Sequence, residues 1–154
     1  MNIVLLPNLT KQDAELHTSR ISQKLLELGA KIWMHQPMES TFQGNPITFW
    51  PDFFAMLQSC DAVIAIGGDG TIIHAAKHAA HAGKPILGVN VGRLGFVAGL
   101  ETNELELLEL LVSGEYTVDH RMMISAAVER PEGLVTYDAL NEAVISRGSL
   151  SRIL

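Results

Sequence analysis

Hydrophobic positions along the chain fall into two alternating textures. Short apolar runs, "NIVLLP" (2–7), "AKIWMH" (30–35), "DAVIAIG" (61–67) and "KPILGVN" (84–90), read as strands. Runs of this kind suit a parallel sheet buried on both faces. Between them lie stretches with helical spacing. In 10–30, Ala14, Ile21, Leu25 and Leu28 form one apolar stripe, Thr10 is the expected N-cap and Gly29 the stop. Residues 51–60 read as a short helix with Pro51 near its first position, 71–83 as a helix ending at Gly83, and 101–115 as a helix with Leu105, Leu108 and Leu111 inward. Residues 36–48, with two prolines and Gly44, read as a loop.

The β-α-β-α alternation predicts an α/β fold: an open, mostly parallel sheet with flanking helices. From Tyr116 the texture is strand-like throughout, broken by the turn "RPEG". The expected organisation is therefore an α/β domain over 1–115. The first antiparallel strands of an all-β second domain follow over 116–154.

The chain has 154 residues, 47% of them hydrophobic, which is enough for a sizeable core. A net charge of −6 speaks against sequence-independent nucleic-acid binding but not against a phosphorylated small ligand held by backbone N–H groups. Cys60 is the single cysteine, so neither a disulfide framework nor a cysteine zinc site is expected. The first residues carry no basic segment and only a short apolar run, so a soluble, cytoplasmic protein without a membrane partner is expected.

Three stretches carry candidate chemistry. "GGDGT" (67–71) leaves a strand and opens a helix, where bare glycine backbone and the helix N-terminus favour phosphate. Asp69 in that place is either the helix N-cap or a carboxylate with a chemical task, binding Mg²⁺ or taking a hydroxyl proton. "GVNVGRLGFV" (88–97) is a second glycine-rich loop at the same sheet edge, and Arg93 there is either a phosphate contact or a surface arginine. In "ALNEAVISRG" (139–148), Asn141 and Glu142 interrupt an apolar strand. They are either hydrogen-bonding groups for ribose hydroxyls or a bulge or strand end.

His74, His78 and His81 share a helix face, but no third ligand lies near in sequence and Lys77 repels a cation; a polar face is the expectation, and no metal site. Cys60 is expected to be structural, Met122 and Met123 core filler.

Taken in this order, the three stretches resemble the NAD kinase family. "GGDGT" alone is shared with lipid kinases and, more distantly, phosphofructokinases; "NVGRLGF" and "NEAVISRG" narrow the match. The resemblance implies transfer of a phosphoryl group to the 2′-hydroxyl of the adenosine ribose of NAD, giving NADP. The donor is ATP or polyphosphate, with a divalent metal, usually Mg²⁺. It implies that Asp69 accepts the hydroxyl proton and that Asp69, Gly70, Asn141 and Glu142 contact NAD. Gly68, Thr71, His74, Phe96 and Arg152 are further binding positions. It also implies a dimer or tetramer, and a longer protein of which this chain is a fragment. A lipid kinase of the GGDGT type and a non-catalytic nucleotide-binding fragment stay open as alternatives.

Overall fold

The computed structural model describes residues 1–92 and 95–145. The chain divides into two compact units between Asp119 and His120.

The first unit is built on six strands: β1 (Asn2–Pro7), β2 (Lys31–His35), β3 (Ile47–Trp50), β4 (Ala62–Gly67), β5 (Ile86–Asn90) and β6 (Leu100–Glu101). Their order is β3-β2-β1-β4-β5-β6, and every neighbouring pair is parallel. Among the described residues four α-helices accompany them: α1 (Ala14–Glu27), α2 (Phe53–Ser59), α3 (Asp69–His81) and α4 (Leu108–Ser113).

Period-two alternation assigns the sheet's two faces. Ile3, Leu5, Ile32, Met34, Ile64 and Ile66 share a core with Ile21 and Leu25 of α1 and Leu108 and Leu111 of α4. Val4 and Val63 join Met56 and Leu57 of α2 and Ala79 of α3, while Ala65 meets Ile72 and Ala75 of α3. Covered on both faces, β4 is buried along its whole length.

Several local expectations change. Thr10 caps nothing: its hydroxyl donates to Asn8 Oδ1 at 2.7 Å, and α1 starts only at Ala14. Residues 36–48 are not one loop. A 3₁₀ turn at Gln36–Met38 precedes β3, whose four residues pair from Ile47 opposite Ile32 to Trp50 opposite His35. So short an edge strand carries too little periodicity to announce itself. The second helix begins at Phe53 because the Asp52 carboxylate caps it, accepting from the Phe54 and Ala55 N–H groups at 2.9 and 3.0 Å. Glu101 belongs to β6 opposite Asn90, so the last helix starts later, with a 3₁₀ turn at Leu105–Leu107.

The second unit contains an antiparallel hairpin, β7 (Ile124–Arg130) and β8 (Gly133–Ala139), turning at Pro131–Glu132. Residues 116–123 are not strand. Met122, expected in a core, is 89% exposed, since a two-stranded hairpin encloses no core of its own.

Ile64 lies at the centre of the main sheet and is fully buried. Replacing it with alanine is expected to cost about 2–5 kcal/mol. Urea unfolding followed by the fluorescence of Trp33 and Trp50 reads this in the first unit; a loss below about 1 kcal/mol would contradict the packing.

Candidate functional site

The strand order reverses between β1 and β4. Connections leaving their carboxyl ends run to opposite sides and open a crevice, the place where ligands collect in such sheets. Asn8 and Gly67 stand at its two lips. The Asn8 N–H donates to the Ile66 carbonyl at 2.9 Å, and Asn8 Nδ2 donates to Thr71 Oγ1 at 2.9 Å. One side chain thus joins the end of β1 to the first turn of α3. Sequence reasoning missed Asn8; its signal was an amide directly following a buried strand.

The glycines of "GGDG" divide into two kinds. A Cβ on Gly67 would stand 2.5 Å from Thr71 Oγ1, so Thr71 packs there only because Gly67 is bare. Gly68 and Gly70 have nothing within 4 Å of a Cβ position, which leaves open space above the loop.

Asp69 is not an N-cap. Gly68 takes that position, and Asp69 is the first residue of α3, where the helix dipole favours its negative charge. The helix therefore begins two residues before the expected Thr71. The carboxylate turns to the second glycine loop: Oδ2 accepts the Phe96 N–H at 3.0 Å and Oδ1 the Val97 N–H at 3.2 Å. A Cβ on Gly95 would lie 2.2 Å from Asp69 Oδ1, so only glycine admits this approach. At the loop's base Asn90, 1% exposed, donates through Nδ2 to both Glu101 carboxylate oxygens at 3.2 and 3.1 Å.

The structure thus brings together Gly68, Asp69, Gly70, Thr71, His74 and the backbone of Phe96. The Phe96 ring itself is 99% exposed and packs on nothing. Asn141 and Glu142 belong to the second unit and do not interrupt a strand. β8 ends at Ala139, which pairs with Ile124, the first residue of β7; beyond it β8 has no partner in the hairpin. Both residues are exposed rather than core-facing. Arg93, Arg152 and the last residues of the third stretch lie outside the described residues.

At the crevice a cavity of ≈ 470 Å³ is walled by β1 and Asn8, His35 of β2, Met38, Phe53 of α2, and Gly70, Thr71, His74 and His78 of α3. A second hollow of ≈ 510 Å³ beside the start of α1, walled by Lys11, Asp13 and Glu15, shares no residue with it and neither glycine loop. The rings of His74 and His78 lie 5.0 Å apart, and His78 meets Phe53 edge-on at 5.2 Å. Among the described residues no three His, Cys, Asp or Glu side chains converge to hold a metal ion. Cys60 is buried, donates to the Leu57 carbonyl, and burial pushes its thiol pKa up, as in a structural thiol. Among those residues no helix is long and apolar enough to cross a membrane.

Strand order, crevice and glycine loops place the first unit among the doubly wound α/β folds that hold ligands at a switch point. The profile described as "ATP-NAD kinase N-terminal domain" matches residues 3–116. The NAD kinase of Natranaerobius thermophilus is 34% identical over 99% of this chain and 54% of its own length. That of Symbiobacterium thermophilum is 38% identical over 87% of this chain and 47% of its own. The chain belongs to the NAD kinase family. The crystal structure of yeast NADH kinase complexed with NADH shares the fold with a TM-score of 0.76 at 15% identity, covering 92% of this chain and 47% of that one. The chain spans about half the length of these relatives.

Burial pushes the His78 imidazole below its ordinary value of 6.5, and His74, His81 and Lys77 push the same way. Below pH 6.5 the unfolded chain takes up this proton before the folded one does. This contribution to stability is intact above 6.5 and declines as pH falls through the window down to the lowered value. NMR titration should place the His78 midpoint below 6.5, and His78→Gln should flatten the pH dependence of stability there; a midpoint at or above 6.5 would contradict the account.

Proposed function

We propose that this chain supplies the nucleotide crevice and the proton acceptor of an NAD kinase. The single observation that carries the reading is the Asp69 carboxylate at the first turn of α3, fixed between two glycine loops. A carboxylate has about four lone-pair sites, and two N–H donors leave room for a hydroxyl.

A ribose hydroxyl is a poor nucleophile until its proton leaves. In the proposed reaction an Asp69 oxygen accepts the proton of the 2′-hydroxyl of NAD. The 2′ oxygen bonds to the donor's terminal phosphorus, the bridging P–O bond breaks, and its electron pair leaves with ADP or the shortened polyphosphate. The open backbone at Gly68 and Gly70 and the N-terminus of α3 face the transferred charge, and Thr71 and His74 stand beside it as polar contacts. Phe96, Asn141, Glu142 and Arg152 are assigned to substrate binding on the family resemblance. On the family resemblance, Mg²⁺ would arrive bound to the donor's phosphates and offset their charge there. The same resemblance supports a cytoplasmic homodimer or tetramer.

Incubation of the whole protein that carries this chain with NAD, MgCl₂ and either ATP or polyphosphate should give NADP; no product with either donor would refute the reading. Asp69→Asn keeps one oxygen acceptor for the loop yet removes the base. It should slow NADP formation about 100- to 10,000-fold with an unchanged circular dichroism spectrum. A rate within tenfold of the unmodified protein would remove Asp69 from this role.

A further inference from the structure

The cavity at the crevice shares Gly70, Thr71 and His74 with the turn that faces the transferred charge, but its remaining walls are largely apolar and aromatic. Its volume of ≈ 470 Å³ lies in the range of small-molecule pockets. Leu6, Met38 and Phe53 give it apolar walls. Three rings stand in series: His35 against Phe53 at 5.4 Å, then Phe53 against His78 at 5.2 Å, both edge-on.

We propose that this cavity receives the adenine base of a bound nucleotide. The inference rests on the kinase reading and adds to it where a base sits.

Size, ring chemistry and position agree. A flat heteroaromatic ring gains dispersion and quadrupole contacts from Phe53 and the imidazoles. The purine edge carries a donor beside an acceptor, and a neutral imidazole offers one of each. Burial first, and then His74, His81 and Lys77, lower the His78 pKa, which favours its neutral imidazole. Gly70 and Thr71 wall the end of the cavity at the start of α3. A nucleotide with its base inside would therefore carry its phosphates toward the open glycines.

Other occupants fit less well. An acyl chain would bury the imidazole nitrogens without partners, a cost that purine avoids. A metal ion would find His74 and His78 without a converging third ligand among the described residues. A bare polyphosphate would gain nothing from Leu6, Met38 and Phe53.

Adenine is common to ATP and NAD, and the test separates the two sources. The protein, labelled at methionine methyls and histidine rings, is titrated with ATP, NAD and tripolyphosphate and followed by NMR. ATP or NAD should move the Met38, His35 and His78 signals, and the ligand that moves them identifies the donor or the acceptor as the source. Tripolyphosphate should leave those signals in place. His78→Ala and Phe53→Leu should weaken the adenine ligand about tenfold and leave tripolyphosphate within about twofold. Met38→Trp, which fills the cavity from its loop side, should do the same. Each variant is first checked for an unchanged thermal unfolding profile, and the titration of the unmodified protein stands without them.

The proposal is overturned if neither nucleotide moves the cavity signals, if tripolyphosphate moves them equally, or if folded variants bind ATP and NAD with unchanged affinity. NADP formation is measured in parallel. Product formed while the cavity signals stay still overturns the base site alone; cavity signals that move without any product overturn the kinase reading alone.

Discussion

Two hydrogen bonds from the backbone of Phe96 and Val97 to the Asp69 carboxylate hold the crevice in its shape. They join loops that follow adjacent strands, β4 and β5, and lie almost thirty residues apart in the chain. Bonds to a charged acceptor are worth about 1.5–3 kcal/mol each, more than a neutral pair. Their geometry makes demands on sequence: Gly95 must be bare for the carboxylate to arrive, and Gly67 must be bare for Thr71 to pack beneath it. The glycines of the two loops therefore do different work. Gly67 and Gly95 permit close approach inside the protein; Gly68 and Gly70 keep open the space outside it.

This junction depends on the sheet. Placing β1 beside β4 puts Asn8 within reach of Thr71, and placing β5 on the other side of β4 puts Phe96 and Val97 within reach of Asp69. α3 then starts at the crevice with its dipole pointing out. Packing by Ile72, Ala75 and Ala79 against β4 and its neighbours fixes the helix that carries the carboxylate. Position, partner and field at Asp69 thus trace to strand order and two faces of buried aliphatic side chains.

Much of this was legible in the sequence, for a physical reason. Strands buried on both faces must be continuously apolar, so β1, β4 and β5 declare themselves, and the glycine loops follow β4 and β5 directly. The alternation of elements gave the fold class, and GGDGT together with its two companion stretches gave the family. What was not legible depends on distant partners. β3 is a strand because β2 lies beside it. Thr10 lost its cap role because Asn8 engages its hydroxyl. Asp69 looked like either a cap or a base, and no local signal shows that its first partners are N–H groups from another loop. Asn141 and Glu142 looked like polar residues inside a strand, but the extent of a hairpin strand is set by the length of its partner. The ring-lined cavity gathers residues from β2, α2 and α3, which no single motif spans.

The central claim, that Asp69 stands where a ribose hydroxyl is deprotonated, is tested most directly by a crystal structure of the protein with NAD bound. The account predicts the adenosine 2′-oxygen within about 2.6–3.2 Å of an Asp69 carboxylate oxygen. NAD bound with its 2′-oxygen well beyond hydrogen-bond reach of Asp69, and with no bridging water between them, would contradict it.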